Sequence, residues 1–320
     1  MTGAKSLVFM GTPDFGVPIL YRLVRDGYNI SAVVTQPDRP AGRGRQLAPP
    51  PVKVAALKLG LPVYQPDRAR DPEFIVQLRN LSPTAIIVAA FGQILPRAIL
   101  EIPAMGAINV HASLLPDLRG ASPIAEAIAR GYRRTGVTIM LMDEGLDTGP
   151  VLAQRPVDIE PEDTAESLSQ RLSEVGAELL SETLPRWFAG EIQPVPQDHS
   201  AATYTKPLTK ESGRVDWNLP AEKIERLCRA YYPWPGCYTR WDDKIVKLLK
   251  VKAVSQWAGR DEPGRVVLLS EGDKGRQQLP AVATGAGVLI IESLQLEGRK
   301  PLSGAEFLRG SRGFIGAKLA

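Results

Sequence analysis

Two histidines occur in the 320-residue chain, and one of them, His111, stands where an apolar run gives way to a proline-containing loop. The stretch is NVHASLLPDLRG, Asn109–Gly120. Imidazole has an unperturbed pKa of ~6.5, so it exchanges a proton near neutrality. Asn109 precedes it by two residues, which puts both on one face of a strand. A carboxamide can donate to a developing oxyanion. Further on, the turn EGLDTG offers Asp147, and an aspartate can fix a histidine tautomer and stabilise the imidazolium. Asn, His and Asp brought to one place would form an acyl-transfer site. No serine or cysteine is placed as a covalent nucleophile, so direct attack by a substrate amine is the simpler scheme. A lone histidine satisfied by a backbone carbonyl is the plainer reading of position alone. Asn109 and Asp147 narrow that gap without closing it.

The elements around these residues alternate. SLVFMG reads as a buried strand, FGVPILYRLVRDG as a helix and ISAVVTQ as a second strand. The segment Pro37–Pro51, PDRPAGRGRQLAPPP, is too rich in proline and glycine for a regular element. Then come VKVAALKLG (helix), LPVY (strand), PEFIVQLRNL (helix), TAIIVAA (strand), GAINVH (strand) and SPIAEAIARG (helix). Such alternation predicts a mostly parallel sheet covered on both faces, doubly wound and Rossmann-like. Ligands of open parallel sheets sit outside the C-terminal strand ends. Ala89–Pro96, Asn109–Gly120 and Met142–Pro150 are therefore expected to converge there. A long helix is predicted from Thr164 to Phe188. GEIQPVPQDHSAATYTKPL has no periodicity and reads as a linker, with His199 expected to lie outside the site. Beyond it, AEKIERLCRAY reads as a helix. IVKLLKVKAV, GRVVLLS and VATGAGVLIIESLQL read as strands of a small antiparallel barrel or sandwich. The expected division is a catalytic domain over 1–189, a linker over 190–207 and a β domain over 208–320.

Composition excludes some classes. At 44% hydrophobic and 23% charged, the chain matches an ordinary globular protein. No apolar run approaches the ~18 residues of a membrane helix, and the opening lacks the apolar stretch of a secretory signal. A cytoplasmic location with no membrane partner is expected. Cys228 and Cys237 have neither CxxC nor zinc-ligand spacing, so reduced thiols and no metal are expected. Gly11 and Gly16 do not make GxGxxG, and GxxxxGK[ST] is absent, which argues against NAD and ATP sites. Net charge is +4, unevenly spread. Residues 1–207 hold 20 Lys and Arg against 22 Asp and Glu, while residues 208–320 hold 19 against 13. A basic C-terminal third suits a polyanionic partner, although a solvated basic surface would read the same.

The stretch NVHASLLPDLRGASP resembles the signature of the 10-formyltetrahydrofolate-dependent formyltransferases. FMGTPDFGVP, AAFGQILP and DEGLDTGPV match companion segments in order, and TQPDRPAGRGRQLAPPPVK adds to them. The resemblance covers essentially the whole chain. It implies an α/β fold, a Rossmann-like doubly wound mostly parallel sheet, with a C-terminal OB-like β-barrel that binds tRNA. The implied reaction moves a formyl group from 10-formyltetrahydrofolate to the amino group of methionine on initiator methionyl-tRNA, for translation initiation, by a monomer without metal. Asn109, His111 and Asp147 take the catalytic positions. The folate pocket falls on Phe91, Gly92, Ile94 and Leu95, on Ser113, Leu114, Leu115 and Pro116, and on Asp143, Glu144 and Gly145. The tRNA-contacting loop carries Arg39, Arg43 and Arg45, with Arg43 at the position of the functional arginine. Two departures stand out. The family often has tyrosine where Phe91 stands, and an aromatic where Leu118 stands. Rival readings are a formyltransferase acting on an amino-sugar nucleotide, a hydrolase releasing formate from the same cofactor, and a non-catalytic RNA-binding protein. The Arg43 loop and the basic tail argue against the first. Intact Asn109, His111 and Asp147 argue against the last. The hydrolase would have a nearly identical site.

Overall fold

In the computed structural model, residues 5–41, 46–271 and 277–320 are described. The chain divides into two compact units. The first comprises residues 1–124, 133–159 and 167–206, the second 125–132, 160–166 and 207–320.

The first unit is built on seven strands: β1 (Ser6–Gly11), β2 (Asn29–Val34), β3 (Val63–Tyr64), β4 (Ala85–Ala89), β5 (Ala107–His111), β6 (Arg134–Leu141) and β7 (Val151–Asp158). They lie in the order β3-β2-β1-β4-β5-β6-β7. The first five run parallel, as the alternation predicts. β6 runs antiparallel to β5, and β7 antiparallel to β6. β4 and β5 are buried at every position, which is why they read as continuous apolar runs rather than alternating ones.

Besides the single turn Arg97–Leu100, the helices up to residue 188 are α1 (Gly16–Arg25), α2 (Pro51–Lys58), α3 (Pro72–Asn80), α4 (Pro123–Arg130), whose residues from 125 belong to the second unit, and α5 (Ala165–Phe188). Phe74 and Leu78 of α3 pack in one cluster with Val8, Met10, Val34, Ile86 and Val88. On the other face, α5 approaches β5 at Gly176, where an added Cβ would stand 2.9 Å from a Val110 methyl. Asn109 and His111 alternate with Val110, so they face away from α5.

Two segments differ from expectation. Within Pro37–Pro51, Arg39–Ala41 and Gln46–Ala48 form a short antiparallel ladder. Its proline, Pro40, lies in a two-stranded ribbon, where a missing N–H can face solvent. Of the stretch expected as a linker, 190–207, residues 190–206 are tied to the first unit. Val195 exchanges backbone hydrogen bonds with Val151 at 2.8 and 2.9 Å, and Tyr204–Thr205 pairs in parallel with Arg119–Gly120.

The second unit contains β8 (Cys237–Trp241), β9 (Lys244–Val254), β10 (Val266–Glu271), β11 (Gln277–Ala283) and β12 (Val288–Leu296). Their order is β8-β9-β12-β11-β10, all antiparallel. The open edges, β8 and β10, are bridged by residues 316–320. On one side Leu319 donates to Gly264 and Val266 to Ala317, at 2.8 and 2.9 Å. On the other, Arg240 and Ala320 exchange hydrogen bonds at 2.8 and 3.1 Å. These bonds make the sheet barrel-like and cover part of both edges. Phe307 and Phe314 meet edge-to-face at 4.9 Å inside it, among Val246, Leu289, Ile291 and Leu319. Cys228, on α6 (Ala221–Ala230), and Cys237 are free and buried. The hydrogen bond with Cys237, then burial, holds the Cys228 thiol well above its ordinary range, so it stays protonated and inert. No helix among the described residues is long and apolar enough to cross a membrane, and no group of three metal-ligating side chains occurs there.

Candidate active site

The end of β5 sets Asn109 and His111 on one face, and both are almost wholly buried, at 9% and 6% exposure. Asp147 reaches them from the loop between β6 and β7. Its Oδ1 accepts from Asn109 Nδ2 at 3.4 Å, and its Oδ2 lies 3.7 Å from His111 Nδ1. The Gly120 backbone N–H holds the same Oδ2 at 2.8 Å. His111 Nε2 lies 3.2 Å from the Leu118 carbonyl. A carbonyl only accepts, so Nε2 carries a proton and Nδ1 is the nitrogen left to take one. The carboxylate beside Nδ1 compensates the charge that a second proton would bring. The plain reading of His111, a ring satisfied by a carbonyl, accounts for Nε2 and leaves Nδ1 facing the carboxylate.

Expected convergence of three segments at the C-terminal strand ends is met by an indirect route. Because β6 is antiparallel, its loop leaves the sheet beside Ala107, where Met142 N donates to the Ala107 carbonyl at 2.8 Å. The loop then turns back to His111. The turn requires a left-handed backbone at Asp147, with φ +53°, a conformation that costs a non-glycine residue about 1–3 kcal/mol.

The Formyl transferase family model matches residues 4–184, and the Formyl transferase, C-terminal domain model matches 207–312. The chain belongs to the formyl transferase family. It is 50% identical to the methionyl-tRNA formyltransferase of Chloroflexus aggregans over 95% of this chain and 96% of that one. It is 48% identical to that of Geobacter metallireducens over 96% of each. Among solved structures, HypX from Aquifex aeolicus in complex with tetrahydrofolic acid aligns at TM-score 0.64 and 19% identity, over 96% of this chain and 47% of that one. The N-formyltransferase from Helicobacter canadensis aligns at TM-score 0.63 and 16% identity, over 90% and 98%. At such identities the two solved structures speak for the fold alone.

In this formyltransferase the other predicted positions divide by burial. Phe91 and Leu95 point into the apolar cluster with Val88 and Ile99. What Phe91 offers outward is backbone, and its carbonyl already accepts from Thr12 Oγ1 at 2.8 Å and Gln36 Nε2 at 3.2 Å. Gly92 is left-handed, and a Cβ there would stand 2.4 Å from Gln36 Nε2. Ile94 is 88% exposed. Ser113 is buried and donates to the Asp117 carbonyl at 2.6 Å, so its hydroxyl serves its own loop. Leu115 is buried beside it, and its cis-linked Pro116 is half-buried. Thr138 pins this loop by accepting from Leu115 N at 3.1 Å and donating to the Ser113 carbonyl at 2.6 Å. Leu114 lies over Gly136, where a Cβ would meet its side chain at 2.5 Å. Asp143 is occupied within its turn, accepting from Gly145 N and Thr148 Oγ1 at 3.0 and 2.6 Å. Glu144 is exposed, 3.7 Å from Arg97. Leu118, where the family often has an aromatic, is buried.

Arg39 opens the short ladder, while Arg43 and Arg45 lie outside the described residues. Asp38, the one acid of that loop, is bound to Lys53 and Gln65 at 2.8 Å. Those hydrogen bonds hold its carboxyl below the ordinary range.

Sequence reasoning missed Arg119 and Gln197. Arg119 is fully buried although arginine is seldom buried without a partner. Gln197 lies in the stretch read as a linker, and His199, expected to be remote, has Nδ1 3.2 Å from Arg119 Nη1. The one available signal was the arginine inside DLRG.

Proposed function

We propose that the chain transfers the formyl group of 10-formyltetrahydrofolate to the amino group of methionine on initiator methionyl-tRNA. The observation that carries this reading is the Asn109–His111–Asp147 cluster at the end of β5, in a chain half identical, end to end, to methionyl-tRNA formyltransferases. The amine nitrogen attacks the formyl carbon, and the bond from that carbon to the folate nitrogen breaks. His111 Nδ1 takes the proton the amine loses. Asn109 spends one amide N–H on Asp147 and turns the other to the oxyanion. Asp147 holds both and relays the proton taken by His111 to the departing nitrogen, so the proton lost by the amine ends on the folate. Catalysis here is orientation plus proton transfer, with no covalent enzyme intermediate.

The folate donor is read against residues 91–95, 113–116 and 143–145. The fit rests on the exposed Gly92, whose carbonyl accepts from Gln36 Nε2 at 3.1 Å, on the exposed Ile94 and on a loop pinned by Thr138. Residues 1–189 are assigned the chemistry. Residues 208–320, with their cationic excess, are assigned the body of the tRNA, and the Pro37–Pro51 loop its acceptor end through Arg39, Arg43 and Arg45. We place the enzyme in the cytoplasm as a monomer. The test is to incubate the protein with formyl-labelled 10-formyltetrahydrofolate and methionyl-tRNA and to locate the label. Label on the methionyl amine supports the reading. Label on free formate or on an amino-sugar nucleotide, with none on tRNA, overturns it.

A further inference from the structure

We infer that Arg119 and Gln197 form a positioning pair that holds the catalytic aspartate in place from behind, an inference that rests on the reaction proposed above. Gln197 is buried and its amide is fully committed. Its Oε1 accepts from Arg119 Nε and Nη2 at 3.2 and 2.7 Å. Its Nε2 donates to the Asp147 carbonyl at 2.9 Å and the Gly149 carbonyl at 2.7 Å. This fixes the orientation of the amide, because arginine has only donors and a carbonyl only accepts. Turning it over would break four bonds at once.

The pair grips Asp147 on the side opposite its chemistry. The carboxylate faces Asn109, His111 and Gly120, and the main chain faces Gln197. Asp147 has the left-handed backbone already noted, which an aspartate keeps only where its surroundings over-determine it. Gln197 supplies that constraint at the carbonyl. Arg119 supplies it again through the chain, because the next residue is Gly120, whose N–H holds Asp147 Oδ2. A side chain at Gly120 would stand 2.7 Å from the Thr205 carbonyl, so this N–H can approach only from glycine.

Stability does not explain Arg119. The guanidinium is fully buried, and among the described residues no carboxylate pairs with it. Its partners are Gln197, His199 Nδ1 at 3.2 Å, the Tyr204 hydroxyl at 3.4 Å and the Tyr204 ring, 6.0 Å from Cζ. A buried charge without a carboxylate partner carries a desolvation cost that an apolar residue would avoid. Its geometry is what an apolar residue could not replace. The planar fork reads one amide oxygen with two N–H groups and so turns the amide nitrogen toward Asp147.

The decisive variant is Gln197→Glu in the full chain. It leaves Arg119 an acceptor, now charged, and removes both donors to the 147–149 carbonyls. Thermal stability should therefore be kept or raised while kcat falls on the order of 10²-fold, the scale of a misplaced catalytic group. KM for methionyl-tRNA should stay within about threefold, since a positioning loss spares ground-state binding. Gln197→Leu, which also strips Arg119, should lose both stability and turnover. In an Asp147→Ala background, Gln197→Glu should lower kcat no further, because the group it positions is gone. A folded Gln197→Glu enzyme with kcat within threefold of wild type overturns the inference, as does a loss that adds fully to that of Asp147→Ala. Absence of transfer by the wild-type chain in the same assay would instead overturn the proposed reaction.

Discussion

His111 does two jobs with two nitrogens. Nε2 is tied to the Leu118 carbonyl and sets the ring, and Nδ1 faces Asp147. Replacing it by alanine removes the proposed proton acceptor, while its neighbours Asn109 and Gly120 keep their bonds to Asp147. His111→Ala should lower turnover by about 10²–10⁴-fold, the range for general acid–base groups, with tRNA affinity near wild type in a filter-binding assay. Turnover within threefold of wild type would remove His111 from the chemistry. At this scale the sequence was informative where spacing alone decides. Asn109 and His111 share a face because strand periodicity is two. It was silent on Gln197, because nothing local marks a glutamine whose partners are 50 and 78 residues away.

Among the elements, the segment 316–320 decides the second unit. It supplies backbone partners to both open edges and inserts Leu319, 2% exposed, into the core. Leu319→Ala should destabilise the unit by about 2–4 kcal/mol, the cost of a buried leucine and its cavity. Urea unfolding followed by the fluorescence of Trp217, which bonds Thr239 beside Ala320, would measure it. An unchanged midpoint would show that the closure is dispensable. The Pro37–Pro51 loop is anchored at its base, where Asp38 is held by Lys53 and Gln65. The acid is therefore spent on Lys53 and Gln65. Arg43→Ala should raise KM for methionyl-tRNA and leave folate affinity alone. Equal loss for both substrates would refute the assignment.

For the whole molecule, the cationic excess of residues 208–320 is a statement about partners rather than fold. Lys244, Lys247 and Lys300 are exposed, and their replacement by alanine should leave the barrel-like sheet intact. If they meet tRNA phosphates, the slope of log affinity against log salt should fall by roughly 0.7–0.9 for each phosphate no longer neutralised. An affinity and slope equal to wild type in the triple variant would assign the tRNA to another surface.

Read as a string, the chain already determined its first architecture. Buried runs such as AIIVA and AINVH alternate with helices, and only a parallel sheet covered on both faces satisfies them. It also placed Asn109 and His111 on one strand face, because strand period is a local property. Tertiary structure alone decided the rest. The antiparallel turn of β6, the closure of the second sheet by residues 316–320 and the capture of Asp147 by Gln197 and Gly120 all depend on groups far apart in the chain. The segment 190–207 read as a linker because it lacks periodicity. It holds its place through hydrogen bonds to distant backbone and buried polar side chains, which leave no periodic trace in the sequence.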